Sequence, residues 1–149
     1  LKWWEKLAAS RPPDYIIGQE NGVAYMRRWW IYRTYHASIY LHEFMRSDDD
    51  RALHDHPWWS VSYLLRGSYT EVTISAGGVE LRKIYSAPSL ILRSAKGAHR
   101  IELHDGPCWT LFMTGPVIRS WGFHCPKGWR PWQAFCKPGA KGEIGPGCE

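Results

Sequence analysis

No stretch of the 149 residues reaches the roughly 18 consecutive apolar residues that a membrane-spanning helix needs, so a membrane is not an expected partner. The opening Leu1-Lys2-Trp3-Trp4 lacks the basic segment, apolar run and cleavage site of a secretory signal, which leads to the expectation of a cytoplasmic location. Leu1 is not Met, so the natural start is expected upstream. Cysteine is sparse: Cys108, Cys125, Cys136 and Cys148, with no Cys-x-x-Cys pair. That spacing argues against a zinc ribbon. Without a secretory signal the four are expected to be free thiols. No internal repeat is present. The net charge of +5 comes from 19 basic residues, scattered apart from short clusters such as Arg27-Arg28 and Arg82-Lys83, and 14 acidic ones. With no long basic stripe, nucleic acid is not an expected partner.

Aromatic residues are abundant, with ten Trp, eight Tyr and four Phe. Each buried aromatic removes about 150–250 Å² from water, so a short chain can still build a core. A single domain is expected over residues 1–136, with its core at about 23–116 and a flexible Gly- and Pro-rich tail over 137–149. Leu1 to Ser10 reads as a short amphipathic helix, ended by Pro12-Pro13. A connecting stretch is expected to about Glu20, and Asn21-Gly22 reads as a turn. Strands are expected at 23–29, 38–44, 58–66, 68–75, 79–85, 89–93, 99–103 and 108–114. They recur every eight to twelve residues with Gly, Pro or Asp between them, the spacing of an all-β sandwich or barrel.

Seven His are present, and His54 and His56 are the informative pair. On a strand, residues i and i+2 share a side, so two imidazoles can face one metal ion while Asp55 points away. A third ligand is needed from elsewhere, and His99, after the Gly97 turn, is the first choice, with His42 and His104 in reserve. His36, His104 and His124 read more simply as hydrogen-bonded surface or core residues.

These residues resemble the first motif of the cupin superfamily: His-x-His, three or four residues, Glu, six residues, Gly. His54-Asp55-His56 is followed by three residues, Ser60, six residues and Gly67, so the spacing matches and Ser60 replaces the Glu. Ala95-Lys96-Gly97-Ala98-His99 is similar to the second motif, Pro-x-Gly-x-x-His, with Ala for Pro and one residue fewer before the His. A closer resemblance, to small uncharacterised phage and bacterial cupin-like proteins, rests on Tyr40-Leu41-His42, 46–58, 99–103, 109–116 and Trp121-Gly122-Phe123. The resemblance implies a cupin-like β-barrel, a double-stranded β-helix or jelly roll. It also implies one divalent metal ion (Fe, Zn, Ni, Mn or Cu) on His54, His56 and His99. Three neutral imidazoles leave the ion's charge intact, which favours anionic ligands.

Tyr69 and Glu71 share a face of the strand after Gly67 and are the candidate catalytic residues: Tyr69 as a hydrogen-bond donor, Glu71 as a His-orienting group, a base or a further ligand. Arg66, Arg93 and Trp58 are the candidate substrate-binding residues, the arginines by bidentate contact with a carboxylate or phosphate. Trp58, Trp109 and Trp121 are expected to pack the core or wall the pocket. Asp48, Asp49, Asp50 and Arg51 read as an ion-paired loop shaping the approach to the His pair. Cys125 beside His124 suggests a nucleophile, but strand neighbours face opposite ways. The expected function is a metal-dependent enzyme acting on a small polar or anionic substrate, with three-His iron dioxygenation as the first reaction class. The alternatives are a non-catalytic cupin that binds a small ligand or a protein, and a metal-free structural or phage accessory protein. Edge strands want covering, so a homodimer is the partner expected beside the small molecule.

Overall fold

The computed structural model describes residues 1–19, 22–48, 52–139 and 144–149. A short helix α1 (Trp3–Ser10) leads into strands β1 (Tyr15–Ile17), β2 (Met26–Arg33), β3 (Ser38–Phe44), β4 (Leu53–His54), β5 (Ser60–Arg66) and β6 (Ser68–Ile74). β7 (Glu80–Ser86), β8 (Ser89–Arg93), β9 (His99–Leu103), β10 (Cys108–Thr114), β11 (Gly122–Cys125), β12 (Gly128–Pro131) and a single turn of helix α2 (Trp132–Phe135) follow. The strands form two six-stranded antiparallel sheets, in the orders β1-β2-β3-β10-β5-β8 and β12-β11-β4-β9-β6-β7. This is the all-β barrel that the strand spacing implies. Among the described residues no helix is long and apolar enough to cross a membrane.

The two sheets enclose Met26, Phe44, Leu64, Tyr69, Ile91, Ile101 and Cys108. Because strand residues alternate in face, this cluster defines the inward register of each strand. Tyr40 and His42 point inward with Phe44, Arg28 with Met26, Thr110 and Phe112 with Cys108, and Ser60 and Ser62 with Leu64. Outside, Trp29 stacks on Trp109 at 5.7 Å and donates to the Arg11 carbonyl at 3.1 Å. Gly67, the last residue of the first motif, has φ +97°, and a Cβ there would lie 2.6 Å from the Cys108 sulfur. Both the left-handed backbone and the close approach require glycine.

Several expectations need correction. The stretch expected to connect α1 to β2 contains β1, paired with β2 through Tyr15–Arg28, Ile16–Arg27 and Ile17–Met26. β2 starts at Met26 rather than at Val23, and Trp58 and Trp59 precede β5. The four cysteines are not all thiols: Cys125 and Cys148 form a disulfide, because the end of the chain folds back until their Cα atoms are 5.5 Å apart. That bond also removes Cys125 from the candidate nucleophiles. Of the segment expected as a flexible tail, residues 137–139 and 144–149 are described. The latter are tied by the disulfide, by a Cys136–Ile144 bridge, and by Gly145 and Gly147 donating to the Phe135 carbonyl. Asn21 of the expected turn, and Asp49, Asp50 and Arg51 of the expected ion-paired loop, lie outside the described residues.

His42 is 2% exposed, and burial first, then the Arg28 guanidinium, hold its imidazole well below the usual range. A depressed histidine takes up its proton more readily in the unfolded chain. Its contribution to stability is therefore full above the ordinary imidazole pKa of about 6.5 and is lost as pH falls below it. Thermal unfolding of the metal-free protein is expected at progressively lower temperature from pH 7 to pH 5, with a shallower slope in His42→Gln. Gly67→Ala is expected to destabilise the fold by about 1–3 kcal/mol, read by urea denaturation.

Candidate metal centre

β4 is only two residues long and is gripped on both sides. His54 is the register partner of His99 on β9 and of Phe123 on β11. The His54–His99 pairing brings the two candidate motifs together. His56 lies two residues on, on the same side; its amide donates to the Ala95 carbonyl at 3.1 Å, and its ring stacks on Trp58 at 5.1 Å. The three imidazoles form a nearly equilateral group, with centroid separations of 5.1 Å (His54–His56), 4.8 Å (His54–His99) and 4.9 Å (His56–His99). Their ligand atoms all lie within 4.8 Å of one another. To form metal–nitrogen bonds of about 2.0–2.1 Å to one ion, the rings would turn inward toward a common centre.

The group's surroundings suit a cation. Burial lowers the His56 imidazole well below the usual range, and the neighbouring His99, His54 and Arg93 add to the effect. Burial, then Arg93 and His54, do the same for His99. Both rings are therefore neutral, the form in which imidazole binds metal. Nδ1 of His99 is hydrogen-bonded to the Glu71 carboxylate, which makes Nδ1 the protonated atom and leaves Nε2 as the lone-pair donor. The same Glu71 oxygen accepts from Arg93 Nε at 2.5 Å. Arg93 also donates to Ser62 Oγ at 2.7 Å and to Tyr69 Oη at 3.1 Å. Burial, opposed by Arg93 and reinforced by Glu71, pushes the Tyr69 phenol up to about 12, so it stays protonated at neutral pH.

Asp55 points away from the imidazoles and anchors their strand. Its carboxylate, 1% exposed, accepts from Gly122 N at 2.9 Å and Trp129 Nε1 at 2.9 Å, and pairs with Arg119 at 3.0 Å and His124 at 3.1 Å. Burial alone would raise this carboxyl; the donors, led by the Gly122 amide, outweigh it and hold it below its ordinary value.

Comparison with solved structures settles what this barrel is. A cupin superfamily protein from Desulfitobacterium hafniense superposes with a TM-score of 0.51 at 12% identity, covering 61% of this chain and 77% of that one. The chain has the cupin fold. Lactobacillus farciminis oxalate decarboxylase in its formate complex is similar at a TM-score of 0.51 and 18% identity, over 65% of this chain but only 30% of that one. The iron(II) protein HppE with an alternative substrate, (S)-1-HPP, is similar at 0.52 and 14%, over 70% of this chain and 58% of that one. No known family profile and no curated protein matches the chain.

Within this cupin barrel the sequence-derived residues separate clearly. His54, His56 and His99 converge, Tyr69, Glu71 and Arg93 form one hydrogen-bonded group behind His99, and Trp58 flanks His56. Arg66 does not join them: its side chain is 57% exposed and pairs with Glu5 at 2.8 Å. The reason is a register shift between Trp109 and Thr110. It pairs Arg66 with the outward Trp109, whereas Leu64 pairs with the inward Thr110. His42 is held by Arg28, and His104 lies outside the barrel against Ser68 and Thr70. Ser60, in the position of the motif's Glu, is 2% exposed, and its hydroxyl has no partner among the described residues. Nδ1 of His56 is a second buried polar atom without a partner among the described residues. A cavity of about 280 Å³ is lined in part by Glu71, Arg93 and His99, with Tyr85, Ile91 and Leu92 as apolar walls. The three-imidazole set, the carboxylate behind His99 and the unpartnered atoms fit a divalent ion.

Removing the carboxylate behind a metal-bound histidine costs about 10–100-fold in metal affinity. Glu71→Gln is expected to weaken Zn²⁺ or Co²⁺ binding by about that factor, measured by chelator competition.

Proposed function

We propose that His54, His56 and His99 hold one divalent metal ion and that the protein is a metal-dependent cupin enzyme acting on a small polar or anionic substrate. The observation that carries this reading is the convergence of three imidazoles, one of them fixed by a buried carboxylate. Nitrogen ligands alone do not select among Fe, Zn, Ni, Mn and Cu. Bound ferrous ion would supply oxygen activation, which makes iron-dependent oxygenation the first reaction to test; similarity of fold to the iron(II) protein HppE supports the choice. The chain's own residues then divide the work. Glu71, with one oxygen shared between His99 and Arg93, orients the His99 ring rather than acting as a base. Tyr69, a neutral phenol bound to Arg93, closes the wall behind that carboxylate. Trp58 fixes the His56 ring and shields it from water. With Glu as the motif's acid absent, no anionic ligand offsets the metal's charge, and an anionic substrate is favoured there.

A second reading, a cupin that binds its ligand without turnover, is supported by the mutual engagement of Tyr69, Glu71 and Arg93. These groups are occupied with one another. The deciding experiment is elemental analysis of the purified protein beside a His54→Ala/His99→Ala variant, followed by oxygen-consumption assays with small acids and thiols. About one equivalent of metal, lost in the variant, is expected. Iron with oxygen consumption supports the enzyme, and metal without turnover supports the binding module. No metal after anaerobic reconstitution overturns the metal-dependent enzyme and leaves a metal-free binding or structural barrel.

A further inference from the structure

Arg28 is a half-buried cation without a carboxylate partner among the described residues. Its guanidinium lies 4.6 Å over the Tyr40 ring, and its Nε donates to His42 Nε2 at 2.9 Å. That hydrogen bond settles the tautomer of His42. An arginine Nε can only donate, so His42 Nε2 accepts and the ring proton sits on Nδ1. His42 is 2% exposed, and this Nδ1–H has no partner among the described residues. Directly across the strand pair, Thr110 is the register partner of His42; it too is 2% exposed, and its hydroxyl has no partner among the described residues. Arg28 is the register partner of His42 on the other side.

Three neighbouring strands, β2, β3 and β10, thus present Arg28, His42 and Thr110 as one row across the inner face of the first sheet. With strands about 4.8 Å apart, the row is about 10 Å long. It runs from the half-buried Arg28 to two fully buried groups. Every uncommitted hydrogen on it belongs to a donor: the Nη groups of Arg28, Nδ1–H of His42 and the Thr110 hydroxyl. Leaving such donors buried and unmet is costly, so the row is built for an acceptor. The same interior contains the three imidazoles. Phe112 packs against His42 at 4.9 Å and against Trp58 at 5.5 Å, and Trp58 stacks on His56.

We propose that this row binds a small organic acid with a second oxygen-bearing group. Its carboxylate would sit on Arg28 and its second oxygen between His42 Nδ1–H and the Thr110 hydroxyl. Arg66 and Arg93 are tied to Glu5 and Glu71, whereas Arg28 has charge to offer. The assignment names the substrate class for the proposed metal site and rests on that reading only for what happens to the acid afterwards; binding to the row itself needs no metal.

The test is calorimetric titration of the metal-free and Zn²⁺-loaded protein with malonate, succinate and acetate, using wild type, Arg28→Gln and Thr110→Val. Saturable binding of one of the two diacids, tighter than acetate, is expected. Arg28→Gln should weaken it about 10-fold or more, the usual scale for a charged hydrogen bond. Thr110→Val should narrow the diacid-over-acetate preference about threefold or more while leaving acetate binding in place. Equal affinities in wild type and Arg28→Gln, or no saturable diacid binding, overturn the proposal. An unchanged preference in Thr110→Val overturns it too, because His42 and Thr110 would then share only an ordered water. If Arg28→Gln does not fold, Thr110→Val alone decides. Arg28-dependent binding with no metal uptake sustains this row and defeats the metal-enzyme reading. Metal uptake without Arg28-dependent binding does the reverse.

Discussion

The candidate site depends on the carboxylate of Asp55. β4 is too short to hold its place by ladder hydrogen bonds alone, since it contributes two residues between β9 and β11. Asp55 supplies what the ladder lacks. A buried carboxylate must have its lone pairs met, and this one is met by groups from Arg119 to Trp129. Period-two alternation then does the rest: with Asp55 fixed outward, His54 and His56 face the interior. The segment after β10 is in this sense part of the site's foundation. The disulfide between Cys125 and Cys148 secures it further, because Cys125 ends the strand that pairs with β4.

The barrel interior is polar where a structural barrel would be apolar. The hydrophobic cluster of Leu64, Phe44, Ile101 and Cys108 fills only part of it. The remainder contains imidazoles, hydroxyls, a carboxylate and arginine. Glu71 and Arg93 compensate each other at 7% side-chain exposure each, which is the condition under which buried charges persist. Among the described residues Arg28 has no such partner, and Ser60, Thr110 and His42 keep unmet polar atoms. The uneven satisfaction divides the interior into a finished part, which fixes His99, and an unfinished part facing it.

The regular strands were legible because each is an alternating run closed by Gly, Pro or Asp. β3, β8, β9 and β10 occupy the segments that the pattern implies, residue for residue. The His triad was legible for the same reason, together with the motif spacing, and Glu71 followed from its i+2 relation to Tyr69. What escaped depends on contacts between distant segments. β1 and β4 are three and two residues long, too short for periodicity to register, and exist because β2, β9 and β11 pair with them. The disulfide needs a chain reversal that composition does not reveal. Arg66 was misplaced because strict alternation would carry it inward from Leu64, and the irregularity opposite Trp109 breaks that alternation. Arg28 was overlooked although its signal was present: a charge two residues from Met26, in the inward register of a strand otherwise rich in aromatics.

The stack of Trp58 on His56 couples the centre to light. The indole lies face to face with the imidazole, 5.1 Å between centroids and 19° from parallel, close to any ion bound to that ring. An ion with unpaired d electrons on His56 offers the excited indole a fast route to the ground state; a closed-shell ion such as Zn²⁺ does not. Trp58 is one of ten tryptophans, so its quenching would be read against the emission of the others. With an ion bound there, the protein would contain its own spectroscopic gauge of that ion's identity.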